Sequence, residues 1–335
     1  MLQDQRNRPL RDLRISVTDK CNFRCPYCMP IEVFGTDYEF SPKSDVLTFE
    51  EISRLARVFI GLGVEKIRLT GGEPLIRKDL PVLIQEIAEI PGLKDLTLTT
   101  NGWFLEERVE ELKAAGLKRI TVSLDSLDKA TYASLNGRGY GPDRVLAGIE
   151  AALKAGLTPL KINAVIKRGV NESAVVQLAE RFRGTGITIR YIEFMDVGNR
   201  NQWKMEDVFS AEEIVQSIHQ KYPLEPVERD YPGEVASRYR YLDGQGEIGV
   251  IASITQPFCG NCSRGRLGTD GQLVTCLFAN GGRNLRDPMR SGASDEALAE
   301  LIGEIWGGRT DRYSEERFSV REKANRKIEM YKIGG

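Results

Sequence analysis

From residue 13 to about 192 the chain alternates short runs of period-two polarity with longer amphipathic stretches. Six of the short runs have the length and alternation of strands: Leu13 to Val17, Lys66 to Thr70, Asp95 to Thr100, Arg119 to Leu124, Leu160 to Val165 and Ile187 to Ile192. Helical spacing fills the gaps. In the first gap Thr48-Phe49-Glu50-Glu51 fits a capping box, and Ile52, Leu55, Ala56, Phe59 and Ile60 then fall on one stripe that Gly61 and Gly63 help to end. Strands alternating with helices argue for parallel strands and crossover helices, so the sequence predicts an α/β fold, a partial (β/α)6 barrel of the TIM type.

The strands do not read as the continuous apolar runs of sheets buried on both faces. One parity is apolar: Leu13, Ile15, Val17, Ile67, Leu69, Ile120, Val122, Leu124, Leu160, Ile162 and Ala164, a face suited to helices. The other is polar: Arg14, Ser16 and Thr18, Arg68 and Thr70, Thr97 and Thr99, Thr121, Ser123 and Asp125, Lys161 and Asn163. If the apolar parity meets the helices, the polar parity lines the lumen, which then is a wet cavity rather than the packed core of an ordinary barrel. Arg14, Arg68 and Lys161 are its fixed charges, and buried cations call for an anion.

Near residues 196 to 232 the rhythm stops. Arg238 to Leu242 and Glu247 to Ile251 flank Asp243-Gly244-Gln245-Gly246 as an antiparallel hairpin, and a second hairpin turns at Asp270-Gly271. Residues 1–225 are therefore expected to form the barrel and 226–335 a C-terminal antiparallel extension.

The 335 residues carry 47 Lys plus Arg against 48 Asp plus Glu, so nothing global points to nucleic acid or a membrane surface. There is no apolar leader and no run long enough to span a bilayer, and a cytoplasmic location is the expectation. The single histidine, His219, leaves no actor for histidine acid-base schemes. All six cysteines fall in two triplets, Cys21, Cys25 and Cys28, then Cys259, Cys262 and Cys276, which in a reducing compartment read as two metal sites. Thiolates suit iron-sulfur clusters and zinc, and three of them leave one corner of a cubane cluster open. A structural zinc site is the other reading for each. Arg264 and Arg266, alternate residues just past Cys262, face one side and offer a paired guanidinium site suited to phosphate.

The spacing of Cys21, Cys25 and Cys28, with Tyr27 before the third, resembles the radical S-adenosylmethionine (SAM) enzymes, as does Gly71-Gly72-Glu73-Pro74 after the second strand. The whole chain resembles the GTP 3′,8-cyclase family of molybdenum cofactor biosynthesis, through both triplets, Arg264-Gly265-Arg266 and the Gly334-Gly335 terminus. The resemblance implies two 4Fe-4S clusters, with SAM at the first and the purine of GTP at the open iron of the second. It implies that the adenosyl radical takes the 3′ hydrogen of GTP and that the ribose radical attacks C8. It assigns SAM contacts to Tyr27, Gly72, Ser123 and Met195, and substrate contacts to Arg14, Arg68, Thr99, Lys161, Arg264, Gly265 and Arg266. Arg14 and the Gly334-Gly335 tail belong to the catalytic step. The implied partners are a reducing electron donor and a cyclic pyranopterin monophosphate synthase that receives the product, and a homodimer is compatible. A peptide-modifying radical SAM enzyme and a zinc-dependent nucleic-acid module are the competing readings.

Overall fold

The computed structural model describes residues 2–231, 233–320 and 327–334, so Gly335 lies outside the described residues. Six parallel strands form its centre: β1 (Asp12–Ser16), β2 (Lys66–Thr70), β3 (Asp95–Thr100), β4 (Arg119–Ser123), β5 (Lys161–Ile166) and β6 (Thr188–Glu193). Helices connect them: α1 (Phe49–Gly61), α2 (Leu80–Ala88), α3 (Leu105–Ala114), then α4 (Lys129–Asn136) and α5 (Asp143–Lys154) in one crossover, and α6 (Ala174–Phe182). The capping box at α1 is present, with Thr48 and Glu51 exchanging hydrogen bonds of 2.8 and 3.2 Å. This is the expected partial (β/α)6 barrel.

Beyond α7 (Ala211–His219) the chain adds β7 (Leu224–Val227), β8 (Ser237–Tyr241), β9 (Glu247–Ile251), β10 (Arg264–Leu267), β11 (Gln272–Val274) and β12 (Arg283–Asn284). The helices α8 (Arg286–Arg290), α9 (Asp295–Gly307), α10 (Tyr313–Val320) and α11 (Met330–Ile333) follow. Both expected hairpins form, as β8 with β9 and β10 with β11. They do not make a sheet of their own. One twelve-stranded sheet runs β12-β11-β10-β1-β2-β3-β4-β5-β6-β9-β8-β7, in which β10 pairs parallel with β1 and β9 parallel with β6. The C-terminal region thus extends both edges of the barrel, which period-two patterning cannot foretell.

The parity reading sorts the two faces. Leu13, Ile15, Ile67, Leu69, Leu96, Leu98, Ile120, Val122, Ile162, Ala164, Ile189 and Tyr191 are all at most 2% exposed and join Leu55, Phe59, Leu83 and Leu178 of the helices in one core. The opposite parity meets across the strands in register: Arg266 beside Arg14, Arg14 beside Arg68, Thr99 beside Thr121, and Ser123 beside Asn163. No helix among the described residues is long and apolar enough to cross a membrane.

Just past β6 a buried ionic knot ties the chain's end to the barrel. Asp196 accepts from Arg317 Nε at 2.9 Å, Lys327 Nζ at 2.7 Å and the Tyr313 hydroxyl at 2.6 Å. Burial would raise its carboxyl, but Arg317 and Lys327 outweigh this and hold it below the usual value. Its stabilisation is therefore present above the ordinary carboxylate range and lost as pH falls through the depressed value. Asp196→Asn, which leaves Arg317 buried without its carboxylate, is expected to cost about 3 kcal/mol at pH 7. Urea unfolding of mutant and parent should show that gap narrowing only below about pH 4.

Candidate active site

The first triplet sits on the loop that leaves β1 at its C-terminal end, where βα units place their sites. Cys25 C=O accepts from the backbone N–H groups of Cys28 at 2.9 Å and Met29 at 2.8 Å, a tight turn that gathers the last two sulfurs. The loop is held by the segment after β2. Gly72 N–H donates to Thr18 C=O at 2.6 Å and Glu73 N–H to Lys20 C=O at 2.8 Å, so backbone lies against backbone. A Cβ at Gly72 would collide with the Lys20 carbonyl, which is the physical need for glycine there. Glu73 is a brace: its carboxylate accepts from the N–H of Leu75 at 3.0 Å, the N–H of Asn101 at 2.7 Å and the Thr100 hydroxyl at 2.6 Å.

The second triplet lies beyond the other end of the strands. Cys262 lies two residues before β10, and β10 runs parallel to β1, so it enters the sheet where Asp12 does. Antiparallel β11 brings Cys276 back to that end. A five-residue strand therefore separates the triplets, roughly 15–20 Å at about 3.3 Å per residue.

All six cysteines line one cavity of about 270 Å³. Gly72, Ser123 and Met195, from the ends of β2, β4 and β6, border it near the first triplet, with Tyr27. The Tyr27 hydroxyl donates to Asp125 at 2.7 Å. Arg14, Arg68, Arg264 and Arg266 line the middle, with Thr99, and Arg190 joins them. Lys161 is not among them; it borders an adjoining cavity of about 390 Å³ that shares Arg14, Arg68, Arg190 and Arg264. Gly265 faces away, towards Leu10, Leu13 and Leu273, and lets β10 pack closely on the core. Gly334 is buried with φ of 68°, and a side chain there would strike Thr70; its carbonyl accepts from Arg266.

Among the described residues no carboxylate forms an ion pair with any of these five arginines. Arg68 donates to the hydroxyls of Thr99 at 2.7 Å and Thr121 at 3.1 Å, and Arg190 to Asn163 Oδ1 at 2.9 Å. Burial and the repulsion of Arg266, Arg68, Arg264 and Arg190 push the Arg14 guanidinium well below its ordinary value, and burial with Arg190 and Arg119 lowers Lys161 to about 8. Such a site gains by meeting a polyanion. Arg190 was missed in the sequence although its signal was available, since Ile187, Ile189 and Tyr191 alternate with Thr188 and Arg190. Arg309 and Asp311, also lining the cavity, gave no local signal.

The donor sets are of the kind that iron-sulfur clusters take, with one thiolate to each of three irons; among the described residues no three such side chains converge on a single metal ion. The sulfurs are free, half-buried and open to the cavity. The Phe23 N–H lies 3.4 Å from Cys21 Sγ, and Arg264 donates to Cys262 Sγ at 3.1 Å, the kind of outer contact that supports bound thiolates. Burial drives the thiols of Cys21 and Cys276 up to about 12, where a cationic cluster core would supply the missing charge, whereas at Cys262 Arg264 and Arg309 outweigh burial and lower the thiol to about 6.

Fold and cysteine loop together define a radical SAM enzyme, and residues 15–182 match the Radical SAM superfamily while 187–315 match Molybdenum Cofactor Synthesis C. Among solved structures, Streptococcus suis SuiB bound to its precursor peptide SuiA superposes with a TM-score of 0.61 at 18% identity, over 91% of this chain and 68% of that one, a likeness of fold. The chain is 52% identical to the GTP 3′,8-cyclase of Acidothermus cellulolyticus over 100% of its own length and 99% of that protein. It is 48% identical to that of Xanthomonas campestris pv. campestris, with 100% and 97% covered, and 47% identical to that of Staphylococcus aureus, with 100% and 99% covered. The chain belongs to the GTP 3′,8-cyclase family of radical SAM enzymes.

Gly72→Ala should push the Lys20 carbonyl and the first cysteine loop outward. Anaerobically reconstituted mutant is expected to lose most iron from the first triplet while the second stays loaded, as read by iron analysis and electron paramagnetic resonance. An unchanged first-centre signal would contradict the packing argument.

Proposed function

We propose that the protein is a lyase converting GTP to (8S)-3′,8-cyclo-7,8-dihydroguanosine 5′-triphosphate, the first step of molybdenum cofactor biosynthesis. The observation that carries this reading is a single cavity with a cysteine triplet at either end and, between them, five arginines that have no carboxylate partner among the described residues. Cys21, Cys25 and Cys28 would hold one 4Fe-4S cluster, and Cys259, Cys262 and Cys276 the other. The chemistry these groups supply when bound is reductive generation of a 5′-deoxyadenosyl radical from SAM at the first centre and an open iron for guanine at the second.

The protein's own part is placement. Tyr27, Gly72, Ser123 and Met195 surround the strand ends and hold SAM there. Arg14, Arg68, Arg264 and Arg266, with Arg190 added and Lys161 from the adjoining cavity, bind the triphosphate and ribose. Thr99 holds the Arg68 guanidinium and offers a polar contact. Arg266 in turn donates to the Gly334 carbonyl, so the tail holds that guanidinium in place. Fixing one C–H bond beside the radical, with water and stray thiols kept out, is the barrel's contribution to rate. A reducing donor, transfer of product to a cyclic pyranopterin monophosphate synthase and a cytoplasmic location accord with this reading, and a homodimer is compatible with it.

Loss of one charged contact to phosphate costs about 1.5–3 kcal/mol, so Arg14→Ala should weaken GTP binding roughly ten- to hundredfold and leave guanosine affinity unchanged. Anaerobic calorimetry reads both. The reaction itself is tested with GTP deuterated at the 3′ position, SAM and dithionite. Deuterium in the 5′-deoxyadenosine product is expected; unlabelled product would move the substrate elsewhere.

A further inference from the structure

The segment that precedes β1 is buried against the second triplet, which stands some 250 residues away in sequence. Asp4, Arg8 and Arg309 are 6%, 2% and 4% exposed. The Asp4 carboxylate accepts from Arg8 Nε at 2.6 Å, from Arg309 at 3.5 Å, and from the backbone N–H groups of Arg6 and Arg8 at 2.8 and 2.9 Å. From this hub the contacts reach every cysteine of the triplet. Arg8 donates to the Cys259 carbonyl at 2.8 Å and to the Asp311 carbonyl at 2.7 Å. Arg309 donates to the Cys262 carbonyl at 2.7 Å and, through Nε, to the Asp311 carboxylate at 3.1 Å. That carboxylate accepts the hydroxyl of Thr275, the residue before Cys276, at 2.6 Å. Trp306 locks the rear, its indole N–H donating to the Arg8 carbonyl at 3.0 Å while the Arg309 guanidinium lies 4.5 Å over its ring.

Burying such a network is a poor way to gain stability, because desolvation of each charge offsets its attraction. Its geometry fits a different job. We infer that Asp4, Arg8, Arg309 and Asp311 are positioning residues, a buried clamp that fixes the second cysteine triplet in ligating geometry before any cluster is bound. The inference rests on the reading of Cys259, Cys262 and Cys276 as a cluster site. It makes the chain's first residues part of its second metal centre, although they adjoin the first in sequence. The three cysteines lie in short loops with one 3-10 turn, Cys259–Asn261, between them, and such loops open locally unless tied down. The clamp ties Cys259 and Cys262 by their carbonyls and Cys276 through the hydroxyl of Thr275 before it, while all three side chains still line the cavity.

The test uses full-length Arg8→Gln, Arg309→Gln and Arg309→Lys. Reconstituted parent should hold about eight iron atoms per chain, and each Gln variant about four, with the first-centre paramagnetic signal and its response to SAM unchanged. In cluster-free protein, Cys259 and Cys262 of the Gln variants should react with iodoacetamide at least about tenfold faster than in the parent, as expected of a loop that opens locally, while Cys21, Cys25 and Cys28 keep their rates. Arg309→Lys, which retains a donor but not the fork, should recover part of the iron and of the protection. Gln variants with full iron, the parental second-centre signal and parental alkylation would overturn the clamp, and so would loss of both centres together. Were the parent itself to hold only about four iron atoms, the second-cluster reading would fall, and alkylation of the cluster-free protein would still decide the clamp.

Discussion

The parallel pairing of β10 with β1 is the constraint on which the rest depends. It sets Arg14 against Arg266 and Asp12 against Arg264, and through β2 it sets Arg14 against Arg68. Because the first triplet follows β1 and the second precedes β10, the same pairing puts the two metal loops beyond opposite ends of neighbouring strands. A slip of one residue would turn Arg264 and Arg266 into the core and Gly265 into the cavity. Side-chain packing on the other face forbids that slip: Gly265 meets Leu10, Leu13 and Leu273, where an arginine has no room and no partner.

That pairing imposes an electrostatic cost. Six arginines line a cavity of about 270 Å³, and among the described residues only Arg309 of them has a carboxylate partner, so the other five repel one another even in a well-hydrated site. The neighbours that could neutralise them are engaged elsewhere. Glu73 braces the ends of β2 and β3, Asp125 takes the Tyr27 hydroxyl and the Val165 N–H, and Asp311 is held by Arg309 and Thr275. The lumen threonines absorb only hydrogen bonds. On the proposed function a nucleotide triphosphate is the compensating charge, and binding energy from the phosphates would be available to hold the ribose in place.

Period-two alternation made much of this legible before any coordinates. All six strands were placed within one residue at both ends, with β2 and β3 matched fully, and the polar parity identified the lumen because Arg14, Arg68, Thr99 and Ser123 break a rule that ordinary barrels obey. The cysteine spacings gave the centres because thiolate clusters need sulfurs on short loops. Two things were not legible, each for the same physical reason: they depend on pairing between distant segments. Lys161 shares the polar parity yet borders the adjoining cavity. Asp4 and Arg8 look like a solvated terminus, and only the fold brings them beside Cys259.

The two ends of the chain close the site from opposite directions. The N-terminal segment braces the second triplet from behind, through Arg8 and Asp4. The last described residues cross from the end of β6 to β10: Lys327 binds Asp196, Tyr331 packs on Phe34 and Met29 with its hydroxyl 2.7 Å from that of Tyr38, and Gly334 meets Arg266. Tyr38 and Phe34 belong to the extension of the first cysteine loop, so the tail touches elements of both centres. A barrel of six strands leaves a gap that a closed one does not, and in this chain β9, β10 and the tail border it. The segments around it are anchored by buried charges, which hold a fixed geometry better than apolar contacts of the same area because hydrogen bonds are directional. Radical chemistry needs that fixity more than it needs stability, since an adenosyl radical displaced by an ångström meets the wrong hydrogen.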